Sequence, residues 1–136
     1  MVLENIYLSC MRVGYLHKCT HRVLKSDEWS EKWSLLTNAG LVYFNTKKKG
    51  DYDPRKFYPL NDFKIVDLDE KTAKRKFAFK ILFERAEVSK DLIVAASSQL
   101  DKEMWIVALK EHKKRFLKAR IKIFEQKLTN VKQAKH

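Results

Sequence analysis

The clearest pattern in the chain is an apolar residue at every second position between residues 77 and 83. Phe77, Phe79, Ile81 and Phe83 follow this period of two, which is typical of a half-buried β-strand. Shorter apolar runs predict six further strands, at residues 11–18, 32–37, 41–45, 56–60, 63–68 and 91–96. Seven short strands of this kind predict a mainly β protein built on a curved antiparallel sheet.

The segments between the strands have the composition of turns and loops. Asn38-Ala39-Gly40 predicts a short hairpin turn, because Asn and Gly tolerate the positive φ that such turns require. Residues 19–28 and 46–54 mix basic and polar side chains and are predicted to be loops. Residues 69–75 are predicted to be a charged turn.

One long helix is predicted to follow the last strand. Ser98 is suited to cap its N-terminus, and Asp101 follows three residues later, as in a capping box. No Gly or Pro occurs after Pro59, so we expect the helix to continue to about residue 130. The predicted buried stripe consists of Leu100, Met104, Trp105, Ala108 and Leu109.

The C-terminal part of this helix carries a second apolar stripe, separated by steps of four and three residues. This is the spacing of a coiled-coil seam, and it predicts an amphipathic extension over residues 116–136, beyond a domain of residues 1–115. The stripe could fold back onto the domain, self-associate, or contact a helix of another protein. Its members are Leu117, Ile121, Phe124, Leu128 and Val131.

Size and charge limit the classes of protein to consider. A chain of 136 residues with 45% hydrophobic residues is enough for one domain with its own core. The formal net charge of +12 favours an anionic partner, such as a phosphoinositide headgroup, an acidic membrane surface or a nucleic acid. The longest apolar run is far shorter than the roughly 20 residues of a membrane-spanning helix, so we expect any membrane contact to be peripheral.

The sequence lacks the motifs of the common enzyme classes. Its three glycines cannot form a P-loop or a dinucleotide-binding turn, and no Gly-x-Ser-x-Gly motif is present. His17 and His21 lie in a strand-to-loop segment, where they would not share a face for a metal. Cys10 and Cys19 have no zinc-ligand spacing, and we expect both to be free thiols. We therefore expect no catalytic activity, no metal and no cofactor.

Two distant patterns together resemble a pleckstrin homology (PH) domain over residues 12–115. The first contains Gly14-Tyr15-Leu16-His17-Lys18, a basic loop, residues 29–36 with two Trp, and Leu41-Val42-Tyr43-Phe44. The second is a strand that ends at Ser97-Ser98, followed by the helix that carries Trp105. The resemblance implies a seven-stranded antiparallel barrel of two near-orthogonal sheets, capped by the C-terminal helix, with Trp105 in its core. It also implies a cytoplasmic signalling adaptor that binds phosphoinositides at the membrane periphery.

The resemblance also implies positions for a headgroup-binding site. Phosphoinositide-binding PH domains place a Lys after Gly-x-Leu-x, an Arg before the aromatic residue of the second strand, and a Tyr in the third strand. The matching residues here are Lys18, Lys32 and Tyr43, with Lys in place of the Arg. Some members that bind 3-phosphorylated lipids have an Arg after a Pro, which matches Arg55. Converging cations would share the phosphate charge, and a tyrosine hydroxyl group would add a directional donor.

The first loop contains two further kinds of candidate residue. Ser30 stands where these family members have a basic residue, and Arg22 and Lys25 in the loop could replace that lost contact. Val23 and Leu24, between these two cations, could enter the membrane interface or pack against a neighbouring Trp.

The second loop carries a run of three cations, which are either solvated or attracted to an anionic leaflet by about 1 kcal/mol each. These residues are Lys47, Lys48 and Lys49.

Two alternative functions stay open at this point. Many domains of this fold bind lipid weakly or not at all, and Ser30 and the C-terminal stripe would suit a protein-interaction scaffold, self-associating or not. RNA binding is a third hypothesis, because residues 76–83 are similar to an aromatic RNA-recognition strand. That strand lacks the Gly that the RNA-binding pattern requires, so we do not expect a nucleic-acid partner.

Overall fold

The computed structural model describes residues 10–21, 24, 26–45, 54–84 and 91–134, and only the backbone at positions 45, 54 and 55. Within these residues the chain forms seven strands and two helices. The strands are β1 (Cys10–Thr20), β2 (Glu28–Thr37), β3 (Gly40–Asn45), β4 (Pro54–Pro59), β5 (Phe63–Asp67), β6 (Ala78–Phe83) and β7 (Leu92–Ala95). The helices are α1 (Glu70–Ala73), between β5 and β6, and α2 (Gln99–Ala134).

All seven strands belong to one antiparallel sheet, in the order β4-β3-β2-β1-β7-β6-β5. β1 is the central strand: it pairs along its whole length with β2, and through His17 and Lys18 with β7. Hydrogen bonds therefore make the two predicted sheets continuous through β1. The mainly β architecture with a long C-terminal helix is confirmed.

The strands extend further into the first loop than the sequence predicted. β1 continues to Thr20 and β2 begins at Glu28, and these two residues are paired. The predicted charged turn at residues 69–75 contains α1, whose N-cap Asp69 accepts a hydrogen bond of 2.7 Å from the backbone N–H of Thr72. One helical turn is too short to show a periodic pattern, so the sequence could not reveal it. Phe77 precedes β6 with a positive φ of 61° and does not belong to the strand.

The predicted hairpin turn between β2 and β3 is confirmed. Thr37 closes it: its Oγ1 donates to the Gly40 carbonyl oxygen at 2.9 Å and accepts from the backbone N–H groups of Ala39 and Gly40 at 3.2 Å. Gly40 has a φ of 157°, and a Cβ atom at this position would collide with the carbonyl oxygen of Tyr58 in β4. Glycine is therefore required here by the close approach of a neighbouring strand.

The predicted cap at the start of α2 is also present. The Ser98 Oγ accepts a hydrogen bond of 3.0 Å from the Asp101 N–H, and the Asp101 carboxylate accepts from the Ser97 N–H at 3.3 Å. The same carboxylate forms a salt bridge of 2.6 Å with Arg12 of β1. The helix N-terminus is thus fixed both to its own first turn and to the sheet.

The predicted buried stripe of α2 is only partly right. Trp105 and Leu109 are buried, but Leu100 and Met104 are exposed. The residues that the helix buries are Lys102, Trp105, Leu109 and His112. Two polar residues occupy the buried face because the fold gives each a partner: the Lys102 Nζ pairs with the Asp67 carboxylate, and the His112 Nε2 lies 3.0 Å from the Leu60 carbonyl oxygen.

Trp105 lies at the centre of the core, as the resemblance implied, with no exposed surface. Its indole ring packs against Gly14 of β1, where an added Cβ atom would lie 3.5 Å from the ring, an ordinary contact distance. The Arg12 guanidinium group lies 5.2 Å from the centre of the same ring. Trp105 therefore joins α2 to the central strand.

The C-terminal part of α2 continues as a helix to Ala134, and it is exposed. All five members of the predicted apolar stripe are exposed, from 42% at Leu117 to 66% at Phe124. The stripe does not fold back onto the described part of the domain, which contradicts that alternative. None of the described helices is long and apolar enough to span a membrane.

Candidate functional site

The register of β1 to β4 places several polar side chains on the inner face of the sheet. Side chains alternate between the two faces of a strand, so residues that pair across strands share a face. Lys32 pairs with the buried Leu16, and Tyr43 pairs with Lys56. Lys18 lies two residues after Leu16 and thus shares this face. The pattern brings three lysines to one end of the sheet, where β1 ends and β4 begins.

These lysines surround the rings of two buried tyrosines, Tyr43 and Tyr58. The Lys18 Nζ donates a hydrogen bond of 3.0 Å to the Tyr43 hydroxyl group. It also lies 5.2 Å from the centre of the Tyr43 ring and 5.9 Å from that of Tyr58. The Lys32 Nζ lies 5.5 Å from the Tyr43 ring, and the Lys56 Nζ 5.6 Å from the Tyr58 ring. Cation–π attraction to the two rings therefore offsets part of the repulsion among three ammonium groups.

The electrostatics of the cluster keep Lys18 charged and make Tyr43 more acidic. Burial tends to lower the pKa of Lys18, but its hydrogen bond to Tyr43 and its interaction with Tyr58 outweigh this and raise the pKa above its usual value. Burial tends to raise the pKa of Tyr43, but the hydrogen bond from Lys18 and the charges of Lys18 and Lys32 lower it overall. A more acidic hydroxyl group is a better hydrogen-bond donor to an anion.

The acidic residue near the motif lies on the opposite face. Glu31 precedes Lys32 and pairs with His17 of β1, and its carboxylate lies 3.6 Å from the His17 Nε2. Its charge therefore points away from the inner face, as strand alternation requires. Ser30 pairs with Lys18 and shares its face, so the serine occupies the position that the basic residue would have.

Several predicted site residues lie outside the described part of the chain. This holds for the side chain of Arg55, whose backbone lies at an irregularity of the β3–β4 ladder, and for Arg22, Val23, Lys25, Lys47, Lys48 and Lys49. Leu24 is described: its side chain is fully exposed and its φ is 64°. It does not pack against Trp29, whose ring lies 5.0 Å from the Arg75 guanidinium group.

Sequence reasoning missed two members of the cluster, Lys56 and Tyr58. Both lie in β4, two residues apart, and therefore on the same face of the strand. In a predicted strand at residues 56–60, this spacing indicates that the two side chains share a face. The family pattern includes the neighbouring Arg55 but neither of these two residues.

The aromatic residues of β6 form part of the core. Phe79 and Ile81 are completely buried, and Phe83 nearly so. They therefore offer no exposed platform on which bases could stack, which argues against the RNA-recognition hypothesis. Among the described residues no three His, Cys, Asp or Glu side chains lie close enough together to hold a metal, and Cys10 and Cys19 are free thiols.

Comparison with known proteins identifies the family. A family model described as "PH domain" matches residues 10–114. The chain belongs to the PH domain family. The match ends within α2, so the exposed end of this helix lies beyond the residues that the family model matches.

Individual relatives agree with this assignment. The PH domain is 28% identical to the pleckstrin homology domain-containing family D member 1 of Caenorhabditis elegans, over 76% of this chain and 19% of that protein. The chain thus spans about a fifth of the length of that relative.

Solved structures share the fold. The PH domain of human oxysterol binding protein-related protein 11 superposes with a TM-score of 0.63 at 21% identity, over 79% of this chain and 83% of that one. The C-terminal PH domain of pleckstrin, in complex with D-myo-Ins(1,2,3,4,5)P5, superposes with a TM-score of 0.60 at 21% identity, over 76% of this chain and 97% of that one.

Proposed function

We propose that this PH domain binds the inositol phosphate headgroup of phosphoinositides and thereby associates with the membrane periphery. The observation that carries the proposal is the convergence of Lys18, Lys32 and Lys56 on the Tyr43 and Tyr58 rings at one end of the sheet. In this function the domain acts by binding alone and catalyses no reaction.

The chemistry of the cluster suits a ligand with several phosphates. Each phosphomonoester carries about −1.5 to −2 charges near neutral pH, so one headgroup can neutralise three ammonium groups. The Tyr43 hydroxyl group accepts the hydrogen bond from Lys18 and still carries a hydrogen that it can donate to a phosphate oxygen. A headgroup would replace cation–cation repulsion with charge-assisted hydrogen bonds.

The rest of the molecule supports attraction to an anionic surface. The net charge of +12 accelerates encounter with such a surface. The full exposure of Leu24 next to basic loop residues favours insertion into the interface over packing within the domain. Arg22, Val23, Lys25, Arg55 and the run of Lys47, Lys48 and Lys49 remain proposed contacts of the headgroup or the leaflet.

A solved relative supports the class of ligand by analogy. The C-terminal PH domain of pleckstrin has the same fold and was solved in complex with inositol pentakisphosphates. The positions of Lys18, Lys32 and Tyr43 match the pattern of phosphoinositide-binding members, with Ser30 and Lys32 as departures. Because Lys32 lacks the two-pronged geometry of an Arg, we expect moderate rather than very tight binding.

Vesicle flotation tests the proposal. Vesicles with phosphatidylserine alone are compared with vesicles of equal total charge that contain one phosphoinositide. We expect stronger binding to at least one phosphoinositide, and loss of that difference in the double variant Lys18→Gln/Lys32→Gln. The double variant Lys71→Gln/Lys110→Gln removes the same charge from exposed sites and is the control. Equal binding to all anionic vesicles, or equal losses in the two double variants, would mean attraction by net charge alone.

A further inference from the structure

The exposed end of α2 is the part of the molecule that the proposed headgroup site does not explain. From Leu117 to Ala134 the helix is about 27 Å long at 1.5 Å per residue. Six large apolar residues are exposed there, and five of them lie on one side of the helix, with Ile123 outside that stripe. An isolated apolar stripe on a protruding helix is typical of a binding surface.

The shape of the stripe indicates a helix as its partner. With 3.6 residues per turn, the five stripe residues between Leu117 and Val131 fall within about 80° of the helix circumference. This is the narrow seam of a coiled coil, whereas a helix that lies in a membrane interface has a broader apolar face. We call the five residues Leu117, Ile121, Phe124, Leu128 and Val131 the seam.

The residues that flank the seam are mostly cationic. In the heptad that the seam defines, Ile121 and Leu128 occupy position a, and the flanking e and g positions hold four cations and one carboxylate. These flanking residues are Lys118, Arg120, Glu125, Lys127 and Lys132. Arg120 and Lys127 also border the shallow depression whose floor includes Leu117, Ile121 and Phe124. The surface is therefore apolar along its centre and positive along its edges.

A second copy of this chain would not complement those edges. In a parallel pair, Arg120 would face Glu125 of the other copy, but Lys127 would face Lys132. In an antiparallel pair the g positions face each other, which places Arg120 and Lys127 against cations. Self-association is thus disfavoured by the charges that flank the seam.

We propose that residues 117–134 dock a helix of another protein that has apolar a and d positions and Asp or Glu at its e and g positions. Such a helix buries the seam, which gives affinity, and pairs its carboxylates with the flanking cations, which gives specificity for acidic partners. The proposal is independent of lipid binding.

The surface lies away from the lysine cluster. α2 passes the connection between β4 and β5, where the Lys113 Nζ donates to the Phe63 carbonyl oxygen at 2.8 Å and the Arg120 Nη1 lies 3.7 Å from the Asp62 carboxylate. Lys56 lies in the first half of β4, whereas this connection follows the end of the strand. We therefore expect a docked helix to leave the proposed headgroup site open.

Fluorescence anisotropy with the whole chain tests the proposal. The probe is a labelled synthetic peptide of about four heptads with Leu at a and d and Glu at e and g. We expect it to bind, and to bind more weakly as salt increases. Two further peptides are the controls: one with Lys in place of Glu, and one of the same composition as the probe in scrambled order. Neither should bind.

A matched pair of variants locates the interaction. Leu128→Asn changes the seam, whereas Leu100→Asn makes the same chemical change to an exposed residue in the first turn of α2, outside the seam and its depression. We expect about a tenfold or greater loss of peptide affinity for the first and little change for the second, with equal helix content by circular dichroism. The proposal is overturned if the acidic probe fails to bind, if the Lys or scrambled peptide binds equally, or if both variants behave alike. Sedimentation that shows a dimer of the chain through the seam would also overturn it.

Discussion

The Lys18 Nζ donates a hydrogen bond of 3.0 Å to the Tyr43 hydroxyl group, which connects β1 to β3 across the strand that separates them. The bond holds the ammonium group above the Tyr43 ring and keeps it charged. It also orients the hydroxyl group, because an oxygen that accepts from Lys18 directs its own hydrogen elsewhere. This pair is the centre of the proposed headgroup site.

Removing the Tyr43 hydroxyl group should weaken headgroup binding more than it weakens the fold. In Tyr43→Phe we expect a loss of about ten- to a hundredfold in affinity for a soluble inositol polyphosphate, since a hydrogen bond to a charged group contributes on the order of 1.5–3 kcal/mol. Isothermal titration calorimetry measures the dissociation constant of each protein for this ligand. Tyr15→Phe, on the outer face of β1 beside Trp33, is the matched control and should bind normally. If the unchanged protein, Tyr43→Phe and Tyr15→Phe bind with equal affinity, the Tyr43 hydroxyl group does not contribute to headgroup binding.

Lys56 should contribute as much to binding as Lys32, although no family motif identified it. Both ammonium groups lie at a similar distance from a cluster ring, 5.6 Å for Lys56 and 5.5 Å for Lys32. In the same titration, Lys56→Gln and Lys32→Gln should each weaken binding several-fold, and exposed Lys76→Gln should not. Normal binding by Lys56→Gln would restrict the site to β1, β2 and β3.

Gly40→Ala should destabilise the fold strongly. The added methyl group would collide with the Tyr58 carbonyl oxygen, at a φ that side chains rarely adopt, so we expect a loss of about 2–3 kcal/mol in the free energy of unfolding. Gly14→Ala is the control, because its Cβ atom would lie at an ordinary 3.5 Å from Trp105. Urea denaturation compares the two, and similar midpoints would show that the β2–β3 turn relaxes around an added side chain.

His112 should make stability fall at mildly acidic pH. Burial, and to a lesser degree the charge of Arg115, lower its pKa in the folded protein below the usual 6.5. The unfolded chain therefore binds a proton more readily, so this contribution to stability is present above pH 6.5 and is lost as the pH falls below it. His112→Gln can still donate to the Leu60 carbonyl oxygen and should show a flatter dependence below pH 6.5. If the free energy of unfolding depends on pH in the same way in both proteins, groups other than His112 cause the loss of stability.

The sequence predicted the order of the elements because each strand and the long helix carry a strong local pattern. It also predicted the Ser98 cap and the turn that ends at Gly40, because local capping and turn geometry favours these residue types. The strict need for glycine at position 40 comes from the approach of β4. The sequence-based prediction was wrong about Leu100 and Met104, which fit a helical stripe but are exposed. The buried face of α2 depends instead on tertiary partners for Lys102 and His112, which local spacing cannot reveal.

Part of the candidate site could also be predicted from a local sequence pattern. Lys18, Lys32 and Tyr43 belong to a motif with fixed spacing, and the structure brings them together. Lys56 and Tyr58 join them only through the register of β3 with β4, two strands that are separated in the chain by residues 46–53. The exposure of the seam likewise depends on where the folded domain ends, because the apolar spacing is the same for a covered and an uncovered helix.

Mapping the binding of a soluble inositol polyphosphate by backbone amide chemical shifts tests the central claim most directly. We predict that the largest shifts fall on Lys18, Lys32, Tyr43 and Lys56 at one end of the sheet and saturate together. Residues 117–134 should change little, although they are also basic. Shifts that concentrate on that helix, or that spread over all basic surfaces without saturation, would contradict a headgroup site built on the Lys18–Tyr43 pair.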